Sequence, residues 1–122
     1  MSEKKRLLLV EDEPDLLKLT VFRLKKAGYE VITATDGGQG LEMAATEAPD
    51  LILLDLGLPV IDGYEVCRRL KNNENLKDIT VVILTASIDR ITEKVKEIGA
   101  DDYVLKPFEP QNLLENIKKF LE

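Results

Sequence analysis

The sequence predicts an α/β domain, a (βα)5 doubly wound parallel sheet that takes residues 1–122 as one unit. Two observations carry this. Five short apolar runs recur along the chain and are mostly continuous rather than alternating, the pattern of strands covered on both faces. Between them the apolar residues recur at helical spacing. Strands and helices therefore alternate strictly, which implies parallel strands, right-handed crossovers and helices on both faces.

The elements follow in order. Leu7 to Val10 is the first strand, and Leu17, Val21 and Leu24 at i, i+4 and i+7 mark the first helix. Pro14 opens it, because proline already has the φ of a first helical turn, and Gly28 closes it. Glu30 to Ala34 is the second strand. Gly37-Gly38-Gln39-Gly40 reads as a helix start, and Leu41, Ala44, Ala45 and Ala48 form a small-residue stripe that lets that helix lie close to a sheet. Leu51 to Leu54 is the third strand, and Val66, Cys67 and Leu70 mark the third helix. Thr80 to Leu84 is the fourth strand, followed by a helix carrying Ile91, Val95 and Ile98 and ending at Gly99. Asp102 to Leu105 is the last strand. Pro110 then opens a helix with Leu113, Leu114, Ile117 and Leu121 on its inner side.

The 122 residues include 17 basic and 23 acidic side chains, a net charge of -6, one cysteine and no histidine. Without histidine there is no Ser-His-Asp or Cys-His catalytic unit, no imidazole zinc ligand and no histidine pH switch. One cysteine forms no internal disulfide, which suits a reducing cytoplasm. The acidic balance, with basic residues scattered, argues against direct nucleic-acid binding. Met1 to Arg6 is basic, but Leu7 to Val10 is too short for a signal-peptide core and runs into Glu11-Asp12-Glu13. No segment approaches a membrane span.

Sheets of this kind hold ligands outside the carboxyl ends of their strands. The first strand leads into Glu11 and Asp12, the third into Asp55, the fourth into Thr85 and the fifth into Lys106. Taken singly, most of these are ordinary: an acid after a strand is commonly a helix cap or a solvated loop residue. Asp55 differs, because it stands between Leu51-Ile52-Leu53-Leu54 and Leu56-Gly57-Leu58-Pro59, where the desolvation of a charge must be offset. Three converging carboxylates repel unless protonated or neutralised, and hard oxygen ligands suit Mg2+. A carboxylate beside such an ion can attack phosphorus to give an acyl phosphate, with Lys106 and Thr85 offering a cation and a hydroxyl to the phosphoryl oxygens.

From Leu7 to Leu121 the chain resembles the receiver domain of the bacterial two-component response-regulator family. The residues that carry the resemblance are Leu8-Leu9-Val10-Glu11-Asp12-Glu13, Asp50 to Pro59, Asp62-Gly63, Leu84-Thr85-Ala86, Gly99 to Tyr103 and Lys106-Pro107-Phe108. The resemblance implies a flavodoxin-like strand order 2-1-3-4-5 and Asp55 as phosphoacceptor. It implies Asp12 and Asp55 as direct Mg2+ ligands, with the backbone carbonyl of Gly57, and Glu11 acting through water. Lys106 contacts the phosphoryl group, Thr85 moves toward it, Tyr103 is the aromatic switch, and the Lys106-Pro107 bond is cis. The phosphoryl donor is a histidine kinase or histidine phosphotransfer protein. The readout is the face made by Arg90 to Gly99, Asp102 to Leu105 and Glu109 to Leu121, which controls a downstream protein or forms a homodimer. The expected setting is cytoplasmic, with no output domain in the chain, no enzyme activity beyond self phosphoryl transfer and autodephosphorylation, and no membrane or nucleic-acid contact.

The chain departs from the family pattern at Gly57, where a larger residue, often Met, is usual, and Ser87 at the companion position is small as well. Both tune phosphoryl lifetime in the family, so a short-lived state is expected. The last helix reads QNLLENIKKFLE and lacks the basic pattern of the winged-helix transcription factors, which weakens a DNA-binding assignment. Other classes compete. A nucleotide- or flavin-binding module needs glycine and bare N-H groups where Glu11-Asp12-Glu13 stands. A magnesium phosphatase of the haloacid-dehalogenase type places DxD after its first strand and adds a substrate cap. A receiver-like domain without the chemistry would lack some of the side chains that are all present here. The last alternative is a receiver fragment of a larger DNA-binding regulator.

Overall fold

Ten elements alternate in a computed structural model that describes residues 4–87 and 89–122. They are β1 (Arg6–Val10), α1 (Pro14–Lys26), β2 (Glu30–Ala34), α2 (Gly37–Glu47), β3 (Leu51–Asp55), α3 (Gly63–Lys71), β4 (Thr80–Thr85), α4 (Ile91–Ile98), β5 (Asp102–Leu105) and α5 (Pro110–Leu121). Met1, Ser2 and Glu3 of the basic amino-terminal stretch lie outside the described residues. All strand pairs are parallel, in the order β2-β1-β3-β4-β5. The chain thus starts in the middle of the sheet, winds to one edge, and returns past β1 to build the other. The reversal lies between β1 and β3, at their carboxyl ends.

Strand alternation divides the core. Leu8, Val10, Ile52, Leu54, Val81 and Ile83 pack with Ala44, Val66, Leu70 and Val95 under α2, α3 and α4. Leu7, Leu9, Leu51, Leu53, Val82, Leu84 and Val104 pack with Leu24, Leu113 and Ile117 under α1 and α5. Because β1, β3 and β4 are buried on both faces, their sequence between the terminal residues is apolar without interruption.

Glu13 caps α1, its carboxylate accepting the N-H groups of Asp15 and Leu16. Gly28 (φ 103) lets the chain turn back into β2, and Gly99 (φ 77) closes α4. The small-residue face of α2 differs from the sequence expectation. Ala45 is exposed and Ala48 lies beyond the helix in a left-handed cap, while Gly37, Gly40 and Ala44 are buried. Alanines attract a pattern search, but the close contacts are made by the glycines: a Cβ on Gly40 would stand 3.1 Å from Val10 side-chain atoms.

Candidate functional site

Asp55 and Thr85 are the last residues of β3 and β4, each one residue beyond the apolar run that marks its strand. Registry with neighbouring strands therefore fixes both backbones: Asp55 pairs with Leu84, and Thr85 with Leu105. Glu11 is held directly after β1, its N-H bonded to Ala34 O at 3.0 Å. Lys106 is held after β5, its N-H bonded to Thr85 O at 2.8 Å. The Lys106-Pro107 peptide is cis. Gly63 permits α3 to begin tight under this rim, since a Cβ there would stand 2.4 Å from Asp55 O.

The side chains meet. Carboxylate oxygens of Glu11, Asp12 and Asp55 lie within 4.8 Å of one another. Lys106 Nζ donates to Glu11 Oε1 at 2.7 Å and to Asp55 Oδ1 at 3.1 Å. Glu11 is 1% exposed and Asp55 9%, whereas Asp12 faces solvent. Glu11 Oε2 also accepts the N-H of Glu13 at 3.1 Å. Burial pulls the Lys106 ammonium toward neutrality, but its hydrogen bonds to Glu11 and Asp55 and their charges outweigh that, so its pKa ends above the usual lysine value.

Three carboxylates and one ammonium leave two negative charges on the rim. Hard oxygen donors carrying that residual charge fit a divalent cation such as Mg2+. Gly57 is exposed in the loop after β3, and the position of a Cβ on it would be 4.0 Å from Asp55 Oδ2, with no closer atom outside its chain neighbours. The side of the Asp55 carboxylate toward residue 57 is therefore open.

Thr85 is 6% exposed and its Oγ1 accepts the Ser87 N-H at 3.1 Å; among the described residues this hydroxyl makes no hydrogen bond to the side chain of Asp55 or Lys106. Tyr103 is half-buried against the core under α3 and α4. It pairs with Ile83, two residues before Thr85, so Tyr103 and Thr85 share one face of the sheet. The Glu11–Lys106 ion pair was not anticipated from the sequence. The two residues are 95 positions apart, and only the closure of β5 beside β4 brings them into reach. The capping role of Glu13 was equally hidden inside an acidic run, although an acid just before Pro14 is the pattern that signals it.

The sequence model of the response regulator receiver domain matches residues 7–118. The chain belongs to this family. The receiver domain is 43% identical over 119 residues to the alkaline phosphatase synthesis transcriptional regulatory protein PhoP of Bacillus subtilis, covering 96% of this chain and 48% of that protein. It is 42% identical over 118 residues to the DNA-binding dual master transcriptional regulator RpaA of Synechocystis, covering 95% and 48%. The chain thus spans about half the length of the curated relatives it matches. Among solved structures, the receiver domain of the sensor histidine kinase PA1611 of Pseudomonas aeruginosa, described with a magnesium ion coordinated in its active site cleft, superposes with a TM-score of 0.90 at 32% identity, covering 98% of both chains. The chemotaxis response regulator CheY4 of Vibrio cholerae gives 0.90 at 28% identity, covering 97% of this chain and 99% of that one. Among the described residues no helix is long and apolar enough to cross a membrane.

Proposed function

We propose that this receiver domain accepts a phosphoryl group on Asp55 from a phosphohistidine carried by a histidine kinase or a histidine phosphotransfer protein, in a Mg2+-dependent reaction. The observation that carries the proposal is the meeting of three carboxylates and one lysine at the carboxyl ends of the strands. An oxygen of Asp55 bonds to phosphorus as the phosphorus–nitrogen bond breaks, and that bond's electron pair returns to the donor imidazole. No general base is needed, since the nucleophile is already a carboxylate.

Asp12, Asp55 and the Gly57 carbonyl would hold the magnesium ion directly, and Glu11 through water; when bound, it offsets charge on the phosphoryl oxygens. Lys106 stands against Asp55 and offers its ammonium to one phosphoryl oxygen. The Thr85 hydroxyl already accepts the Ser87 N-H, so its own proton remains free for another oxygen. Phosphorylation adds about -1.5 to -2 of charge at the rim. Thr85 follows that charge, Tyr103 on the same sheet face turns inward behind it, and the α4-β5-α5 surface changes shape. A local charge change has a distant readout only through such a two-state element. Tyr103→Ala is expected to uncouple partner binding from phosphorylation.

The donor reaches the rim over the start of α1, Pro14 to Lys18, and the Pro107 to Pro110 loop. The chain is a cytoplasmic signalling domain rather than a turnover enzyme. Its activated face binds a downstream protein or a second copy, and the domain itself does not touch nucleic acid. A second reading follows from the transcriptional regulators among the relatives: the same face controls a DNA-binding output. The weak basic character of α5 does not separate the chain from that branch, given its 42–43% identity to both.

The test is incubation of the parent and Asp55→Ala with acetyl phosphate, with and without Mg2+. The parent takes up one labile phosphoryl group only with the ion, and Asp55→Ala takes up none. Repeated turnover of a phosphomonoester at Asp55 would instead support a phosphatase.

A further inference from the structure

Among the described residues, Asp12 is the one carboxylate of the rim whose side chain has no hydrogen-bond or salt-bridge partner: Lys106 bonds Glu11 and Asp55 and leaves Asp12 aside. Glu11, Asp55 and Lys106 together keep one negative charge, which repels the Asp12 carboxylate, and Asp12 has solvent to turn to. Its place on the rim therefore depends on its backbone.

That backbone is pinned on both sides. Before it, the Glu11 N-H bonds Ala34 O at 3.0 Å. After it, Glu13 is tied through every polar group it has. Its N-H donates to Glu11 Oε2 at 3.1 Å, its carbonyl oxygen accepts the Leu17 N-H at 2.9 Å, and its carboxylate oxygens accept the N-H groups of Asp15 at 3.1 Å and Leu16 at 2.6 Å. Pro14 has no N-H, so the open donors at the start of α1 are those of Glu13, Asp15 and Leu16, and the Glu11 and Glu13 carboxylates satisfy all three. Glu13 remains an anion beside the acidic trio but does not join it, because both of its oxygens are turned to the helix.

We propose that Glu13 is a positioning residue for the magnesium site: by capping α1 it fixes the turn that holds Asp12 at the rim. The inference rests on the Mg2+ reading given above. Without the cap, the first turn of α1 loosens and residue 12 with it, so an ion has to gather a mobile carboxylate as it binds. Groups that orient a metal ligand are worth about 10–100-fold in affinity. Glu13 acts through the backbone rather than through a bond to the Asp12 side chain, so the lower end, about tenfold, is expected.

The test is calorimetric titration of the intact chain with MgCl2 at physiological ionic strength, comparing the parent with Glu13→Ala, Glu13→Ser and Glu13→Asp. Aspartate caps a helix and keeps the charge, serine caps it without the charge, and alanine does neither. Glu13→Ala is expected to bind Mg2+ about tenfold more weakly than the parent. Glu13→Asp should match the parent, and Glu13→Ser should fall within about twofold of it, since salt screens most of the effect of the lost charge. A cap with no bearing on the site lowers the urea midpoint of Glu13→Ala and leaves the Mg2+ affinity of its folded molecules unchanged; that result overturns the proposal. Equal weakening in Glu13→Ala and Glu13→Ser also overturns it, because the effect then belongs to charge. A parent that binds no Mg2+ overturns the underlying reading and the proposal together, whereas a parent that binds, with Glu13→Ala its equal, overturns the proposal alone.

Discussion

Replacing Lys106 by Met removes what is, among the described residues, the one cation between the three acidic groups while keeping the length of the side chain. Glu11, 1% exposed, then retains only the Glu13 N-H as a partner, and Asp55 loses its ammonium contact. A unit charge at about 4 Å is worth roughly 4 kcal/mol at an effective dielectric near 20. Water reaching the rim returns part of that, so the expected loss of folding stability is about 2 kcal/mol, below the ~3–5 kcal/mol for breaking a fully buried pair. The pKa of Lys106 is raised in the folded state, so its contribution is fully present below the unfolded lysine value of about 10.4 and fades as pH rises through the folded value. Neutral pH is therefore the right condition. With the ammonium gone, the rim carries one more negative charge, and Mg2+ should bind about tenfold more tightly, ~1.4 kcal/mol. Urea unfolding of parent and variant, with and without saturating Mg2+, measures both effects. The variant should be destabilised without the ion and largely recovered with it. A variant as stable as the parent, or a loss that Mg2+ leaves untouched, would refute the electrostatic account.

Three further predictions rest on local geometry. Val60 has φ 70 and is 81% exposed, so it carries left-handed strain with little burial in return; Val60→Asn should raise stability by about 1 kcal/mol in urea unfolding. Gly37→Ala places a Cβ 1.8 Å from Ile61 O and forces the loop after β3 away from α2, a loss of about 2–3 kcal/mol by the same assay. Gly57→Met puts a side chain beside Asp55 Oδ2 without a clash, so it should lengthen the half-life of the acyl phosphate; a half-life unchanged or shortened contradicts the open-side argument.

The fold was legible because β1, β3 and β4 are buried on both faces and leave runs that local pattern alone identifies. Pro14, Gly28, Gly99 and Pro110 then punctuate the helices for backbone reasons that need no tertiary information. Strand ends were less legible: Asp55 and Thr85 are polar, yet their backbones complete parallel ladders. The site residues could be named from strand ends and from the family pattern. Their connections could not, since Glu11 meets Lys106 only across the assembled sheet. The packing of α2 was misread for a related reason. What decides it is the closeness of backbone to Val10 and Ile61, which glycine permits and an alanine count does not register.

The central claim is that Asp55 is the phosphoryl acceptor, and the most direct test identifies the modified residue itself. The chain is phosphorylated with acetyl phosphate and Mg2+, reduced at once with borohydride, which converts an aspartyl phosphate to homoserine, and mapped by peptide mass spectrometry. The account predicts homoserine at position 55 and nowhere else, and none when Mg2+ is chelated. Homoserine at position 12, or modification of another residue with Asp55 intact, would contradict it.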